Sequence, residues 1–103
     1  MPAVTVTYDP NAGVQFHPDN GNVTMTARGI VKFQKGGHYD FGFASFTLEP
    51  PDRQFSVALG PDEIDVDDGF TDRVLKAYKY TVGIRLPNGT RAYGDPQIIN
   101  KPQ

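Results

Sequence analysis

A two-sheet antiparallel β-sandwich of seven or eight strands is the fold class this sequence predicts. Three observations carry the prediction. Apolar and polar residues alternate with period two along most of the chain. Gly, Pro, Asn and Asp interrupt that alternation roughly every 8–12 residues, as in all-β domains. No stretch longer than a few residues has the helical period. The 103 residues fit one domain, spanning 1–103. With 38% hydrophobic residues, including seven Phe and five Tyr, the chain can fill one core two layers thick.

The elements follow in order. Residues 3–8 put Val4, Val6 and Tyr8 on one face and Thr5 and Thr7 on the other. The stretch DPNAG ends that strand, because Pro10 cannot donate a ladder hydrogen bond and Gly13 tolerates positive φ. Residues 14–17 form a short extended piece, and HPDNGN is a turn cluster. Residues 22–33 read as one long strand. Val23, Met25 and Ala27 share a face, and a bulge at Gly29 and Ile30 breaks the phase. Residues 38–48 follow, with Tyr39, Phe41 and Phe43 on one phase, Phe46 and Leu48 on the other, and the slip at Ala44 and Ser45. In 54–59, Phe55, Val57 and Leu59 point inward. Ile64 and Val66 make a short strand whose other face carries Glu63, Asp65 and Asp67. The stretch DDGFTDRVLKA is the one place for a helical turn, at a corner between two sheets. Tyr78, Tyr80, Val82, Ile84 and Leu86 then mark a half-buried strand. Asn88 and Gly89 fit a two-residue type I′ turn. Residues 90–93 return alongside. Pro96 places the last piece, 97–100, at a sheet edge or outside it.

The final unit, YKYTVGIRLPNGTRAYGDPQI, resembles the last hairpin of immunoglobulin-like and fibronectin type III-like sandwiches. Tyr78 is similar in placement to the corner tyrosine of those folds, whose hydroxyl bonds back to upstream backbone. The resemblance implies an immunoglobulin-like architecture. It implies no ligand, because such folds host many activities. The chain departs from the pattern in having no tryptophan and no cysteine.

Composition excludes several functions. Without cysteine there is no disulfide, thiol nucleophile or iron–sulfur site. The same absence fits a reducing cytoplasmic setting. Ten basic and twelve acidic residues leave a net charge of -2, against a nucleic-acid binder. The opening MPAVTVTYDP has no basic start followed by an apolar run, so no signal peptide is expected in it. No apolar run is long enough to span a membrane.

Charge is unevenly placed. Residues 49–72 hold eight acids against Arg53, and residues 73–91 hold five cations and no acid. Local neutralisation between neighbouring segments is the simple expectation. The acidic stretch PDEIDVDDGFTD offers calcium candidates in Asp65, Asp67, Asp68 and Asp72, because hard oxygen ligands in a tight loop suit that ion. An EF-hand spacing is missing, and an acidic strand at an exposed edge is the plainer reading. His17 and His38 are the only histidines, too few for a zinc or copper set. No nucleophile or carboxylate pair has a catalytic context, so no enzyme is expected and no cofactor is called for. Tyr39, Tyr93, Arg85 and Arg91 are the candidate binding residues, and Tyr8, Tyr39 and Tyr93 are expected to be partly exposed. The functional expectation is a non-catalytic module that binds another protein or itself, through an edge strand or end loops. Residues 3–8 and 97–100 are the candidate edges. A carbohydrate-binding or calcium-dependent module is the alternative.

Overall fold

A computed structural model describes residues 2–103. It is all-β, with ten strands: β1 (Ala3–Asp9), β2 (Gly13–His17), β3 (Val23–Met25), β4 (Gly29–Lys35), β5 (Gly42–Glu49), β6 (Phe55–Leu59), β7 (Glu63–Asp68), β8 (Lys76–Arg85), β9 (Arg91–Gly94) and β10 (Gln97–Asn100). One sheet runs β2-β1-β4-β7-β6. The other runs β3-β10-β8-β5, with β9 also paired to β8.

Alternation builds the core between them. Val4 and Val6 of β1, Val31 and Phe33 of β4, and Ile64 and Val66 of β7 face Tyr80, Val82 and Ile84 of β8 and Ile98 of β10. All are buried. Each such side chain contributes about 1.5–3 kcal/mol relative to exposure. The Tyr80 ring fastens the two layers, meeting Phe16 and Phe33 edge-on and stacking on Phe46 at 5.4 Å.

Several expectations are corrected. The sheets are mixed rather than purely antiparallel: β1 lies parallel to β4 and β3 parallel to β10. The long strand expected over 22–33 is two strands in different sheets, β3 and β4, and residues 26–28 carry the chain across. Breaking the run at Thr26 lets Met25 and Val31 enter the same core from opposite layers. The corner at 69–75 does join the two sheets, but without a helical turn; the one helical piece among the described residues is a 3-10 turn at Asp19–Gly21. The 86–90 turn has three loop residues. Gly89 N–H donates to the Leu86 carbonyl and Leu86 N–H to the Thr90 carbonyl. Only Gly89 has positive φ there, at 86°. Pro87 is the reason: a two-residue turn over Asn88 and Gly89 would need a residue-87 N–H to bond the Thr90 carbonyl, and proline has none, whereas its fixed negative φ suits the first central position of the Leu86–Gly89 turn. The slip between Phe43 and Ser45 is present as a bulge against β8.

The edges also move. β1 has β2 and β4 on its two sides, and β10 has β3 and β8, so neither candidate edge is one. The outer strands are β2 and β6 in one sheet and β3, β5 and β9 in the other. The acidic β7 lies inside its sheet, between β4 and β6.

Candidate functional site

Three places on this frame gather chemistry. The first is a polar knot at the end of the sandwich where β7 stops and β8 begins. Asp68 and Asn100 are both fully buried. Asn100 Nδ2 donates to Asp68 Oδ1 at 3.1 Å, to Asp72 Oδ2 at 3.0 Å and to Gln54 Oε1 at 3.2 Å. Tyr78 donates its hydroxyl to Asp72 Oδ2 at 2.8 Å, and Asp52 Oδ2 lies 3.3 Å from the same hydroxyl. Gln54 Nε2 donates to Asp72 at 3.1 Å, and Thr71 N–H donates to Gln54 Oε1. The knot ties the 69–75 crossing to strands of both sheets.

Burial pushes the Asp68 carboxyl up, against hydrogen bonds from Phe70 N–H and Asn100 and with repulsion from Asp72 and Asp67 added. Burial also acts to raise Asp72, but donors on Asn100, Tyr78 and Gln54 outweigh it and hold that carboxyl low. The Tyr78 phenol is raised by burial and by Asp72. Asp68 Oδ2 and Asn100 Oδ1 are buried without a partner.

This arrangement separates the four calcium candidates. Asp65 faces outward, 3.6 Å from Lys32 Nζ. Asp67 stands opposite Ser56 on the same outer face. Asp68 points inward, and Asp72 sits in the crossing. Only Asp68 and Asp72 share a hydrogen-bond partner, Asn100. No group of three or more His, Asp or Glu able to hold a metal ion occurs among the described residues. Sequence reading missed Gln54 and Asn100. The one signal available was the corner placement of Tyr78, whose hydroxyl does reach back six residues, to a side chain rather than to backbone.

The second place is the side of the sandwich where edges β5 and β6 run together. β6 has the sequence FSVAL, without charge or proline. Its register on β7 sets Phe55, Val57 and Leu59 opposite Asp68, Val66 and Ile64, so they share the inner face. The inward direction read from the sequence is therefore right, but burial does not follow. Val57 is 40% and Leu59 48% exposed. Phe46 and Leu48 of β5 are also only partly covered. β6 lies at the rim, and the opposite sheet has no strand beyond β5 to cover it.

The third place is a pair of clefts. One, of about 660 Å³, lies between the 40–44 segment, Pro61, Asp62, and the Arg85 and Arg91 positions. Arg85 and Arg91 stand directly opposite each other on β8 and β9. The other, of about 500 Å³, is bounded by Gln15, His17, Asn20, Asn22, Tyr93 and Asp95. Tyr93 is 58% exposed, and its ring covers Gly83 beside Ser45. Tyr39 is exposed and elsewhere, edge-on to Tyr8 at 6.3 Å between centroids. The structure thus brings together Arg85 and Arg91, with Tyr93 two residues along β9, and leaves Tyr39 apart. His17 meets Thr7 Oγ1 at 3.4 Å.

The expected neutralisation between 49–72 and 73–91 does not take the form of ion pairs. Lys32 of β4 pairs with Glu63 and Asp65, Lys35 with Asp40 and Asp62, and Lys79 with Asp95. β7 and β8 belong to different sheets, so their charged faces point away from each other.

No protein-family model and no curated protein matches the chain. Fold and surface together define a cysteine-free, all-β, sandwich-like domain with one uncovered apolar edge.

Proposed function

We propose that this protein is a non-catalytic recognition or assembly module, which takes a further strand from a protein partner, or from a copy of itself, along β6. The observation that carries this reading is the state of that edge. Natural edge strands are blunted by charge, proline, bulges or shortness. β6 has none of these along five residues, and its inner-face Val57 and Leu59 are half exposed. An added strand would satisfy the outward main-chain groups and cover both side chains at once.

Strand order supports an immunoglobulin-like arrangement for the frame. Taken as successive strands, β4 to β9 divide between the layers as β4-β7-β6 against β5-β8-β9, the partition of an immunoglobulin-like frame. Tyr78 has the corner tyrosine's position near the start of β8, with the Asp72 side chain in place of backbone as the acceptor of its hydroxyl.

The test is Val57→Lys. Folded stability should change by about 0.5 kcal/mol or less, as for an exposed site. Light scattering across concentration, and selection of binders from a library of extended peptides, should both lose their signal in the variant. A wild-type chain that stays monomeric, with no peptide whose binding depends on Val57, removes the proposal.

Carbohydrate binding is a second reading, favoured by one observation. The cleft that Tyr93 borders is also lined by hydrogen-bonding side chains, Gln15, Asn20 and Asn22 among them. Tyr93→Ala should abolish any saturable response of tyrosine fluorescence to oligosaccharides. No response in the wild type disposes of this reading.

A further inference from the structure

We propose that Arg85 and Arg91 form a binding site for a doubly charged oxyanion of the phosphate monoester type. The two residues are directly opposite in the β8–β9 register. Leu86 N–H bonds the Thr90 carbonyl, which makes 86 and 90 a bonded pair. Residues 85 and 91 are then the non-bonded pair, with Cα atoms about 4.5 Å apart and side chains at their closest. Like charges at such positions destabilise a hairpin. Here nothing offsets the repulsion. Among the described residues neither arginine is in an ion pair, while the two carboxylates across the cleft, Asp40 and Asp62, are both turned to Lys35 Nζ.

The surroundings leave room for a guest. The same cross-strand row continues onto β5 at Gly42, opposite Arg85, where there is no side chain. The nearest atoms to a Cβ there would be those of Pro61, at 3.8 Å and beyond. Pro61 and Pro87 stiffen two walls of the cleft. Two guanidinium groups offer planar, paired donors that match phosphate oxygens. A single carboxylate would leave one positive charge uncompensated, so a dianion is the better match. A local rule broken at an open cleft, with no compensation inside the chain, is where a ligand is expected to supply it.

The experiment uses the full chain at constant ionic strength. Backbone amide shifts are followed against inorganic phosphate, a phosphoserine peptide and a hexose phosphate, with chloride as the control anion. Saturable shifts confined to residues 40–44, 61–62 and 85–91 are expected. Arg85→Gln and Arg91→Gln should each weaken binding about tenfold or more, from the loss of a charge-assisted contact. Arg28→Gln, at a distant exposed site, should leave it unchanged. The tighter of the two organic phosphates identifies the source. Without phosphate, each cleft variant should melt at or above the wild-type temperature, because repulsion is relieved. Non-saturating shifts, equal affinity in all three variants, or a lower melting temperature for Arg85→Gln would each overturn the proposal.

Discussion

Tyr80 donates its hydroxyl to the Gly21 carbonyl at 2.6 Å while its ring is completely buried. Removing the oxygen leaves that carbonyl without this partner in a site water does not reach. Tyr80→Phe should therefore cost about 1–3 kcal/mol, read by urea denaturation. Asp68 is the opposite case, a buried carboxyl with one oxygen unpartnered. Its folded pKa lies above the ordinary 3.8, so the folded chain binds that proton more tightly than the unfolded one. Stability from this group rises as pH falls from the raised value to 3.8. Asp72, held below 3.8, has the other sign: its contribution is present above 3.8 and is lost as pH falls through its lowered value. Asp68→Asn keeps an acceptor for Phe70 N–H and removes the buried charge. It should raise stability at neutral pH by about 1 kcal/mol, and flatten the gain on mild acidification. Urea midpoints at neutral and mildly acidic pH check both.

At the scale of an element, glycine acts for two different reasons. Gly89 closes the β8–β9 hairpin at φ 86° with open space around it. Gly89→Ala should cost about 1 kcal/mol through backbone conformation alone. Gly94 lies under the Phe16 ring, which an added Cβ would strike. Gly94→Ala should cost about 1–3 kcal/mol through overpacking. A double variant with Phe16→Ala separates the two: it should recover part of the Gly94 loss and none of the Gly89 loss, by thermal denaturation. β6 belongs to this scale as well. Its alternation is indistinguishable from that of a covered strand, and only its place at the rim exposes Val57 and Leu59.

For the whole molecule, the terminal strands are the decisive parts. β10 lies between β3 and β8, and Asn100 on it holds the polar knot. Deleting residues 97–103 should leave a chain without dispersed amide resonances, whereas trimming 102–103 alone should leave the spectrum intact. Reading Pro96 as the sign of an edge fails because the proline interrupts only the joint between β9 and β10, and its carbonyl still accepts from Tyr80 N–H at 2.9 Å. A strand that follows a proline is free to enter a sheet once its own donors resume. The acids of 62–72 mislead in the same way. Adjacent in sequence, they are sent outward, inward and into a crossing by a strand and a turn.

Period two and its punctuation determined the all-β class, the inward faces of β1, β4, β7 and β8, and the bulge between Phe43 and Ser45, because each depends on neighbours within a few residues. Which strand lies beside which, and so which apolar face stays open and which charges meet, was decided only by the tertiary structure. Pairing partners such as Val6 and Lys35, or Val23 and Ile98, are far apart in sequence. Alternation specifies a strand's two faces and carries no information about its two edges.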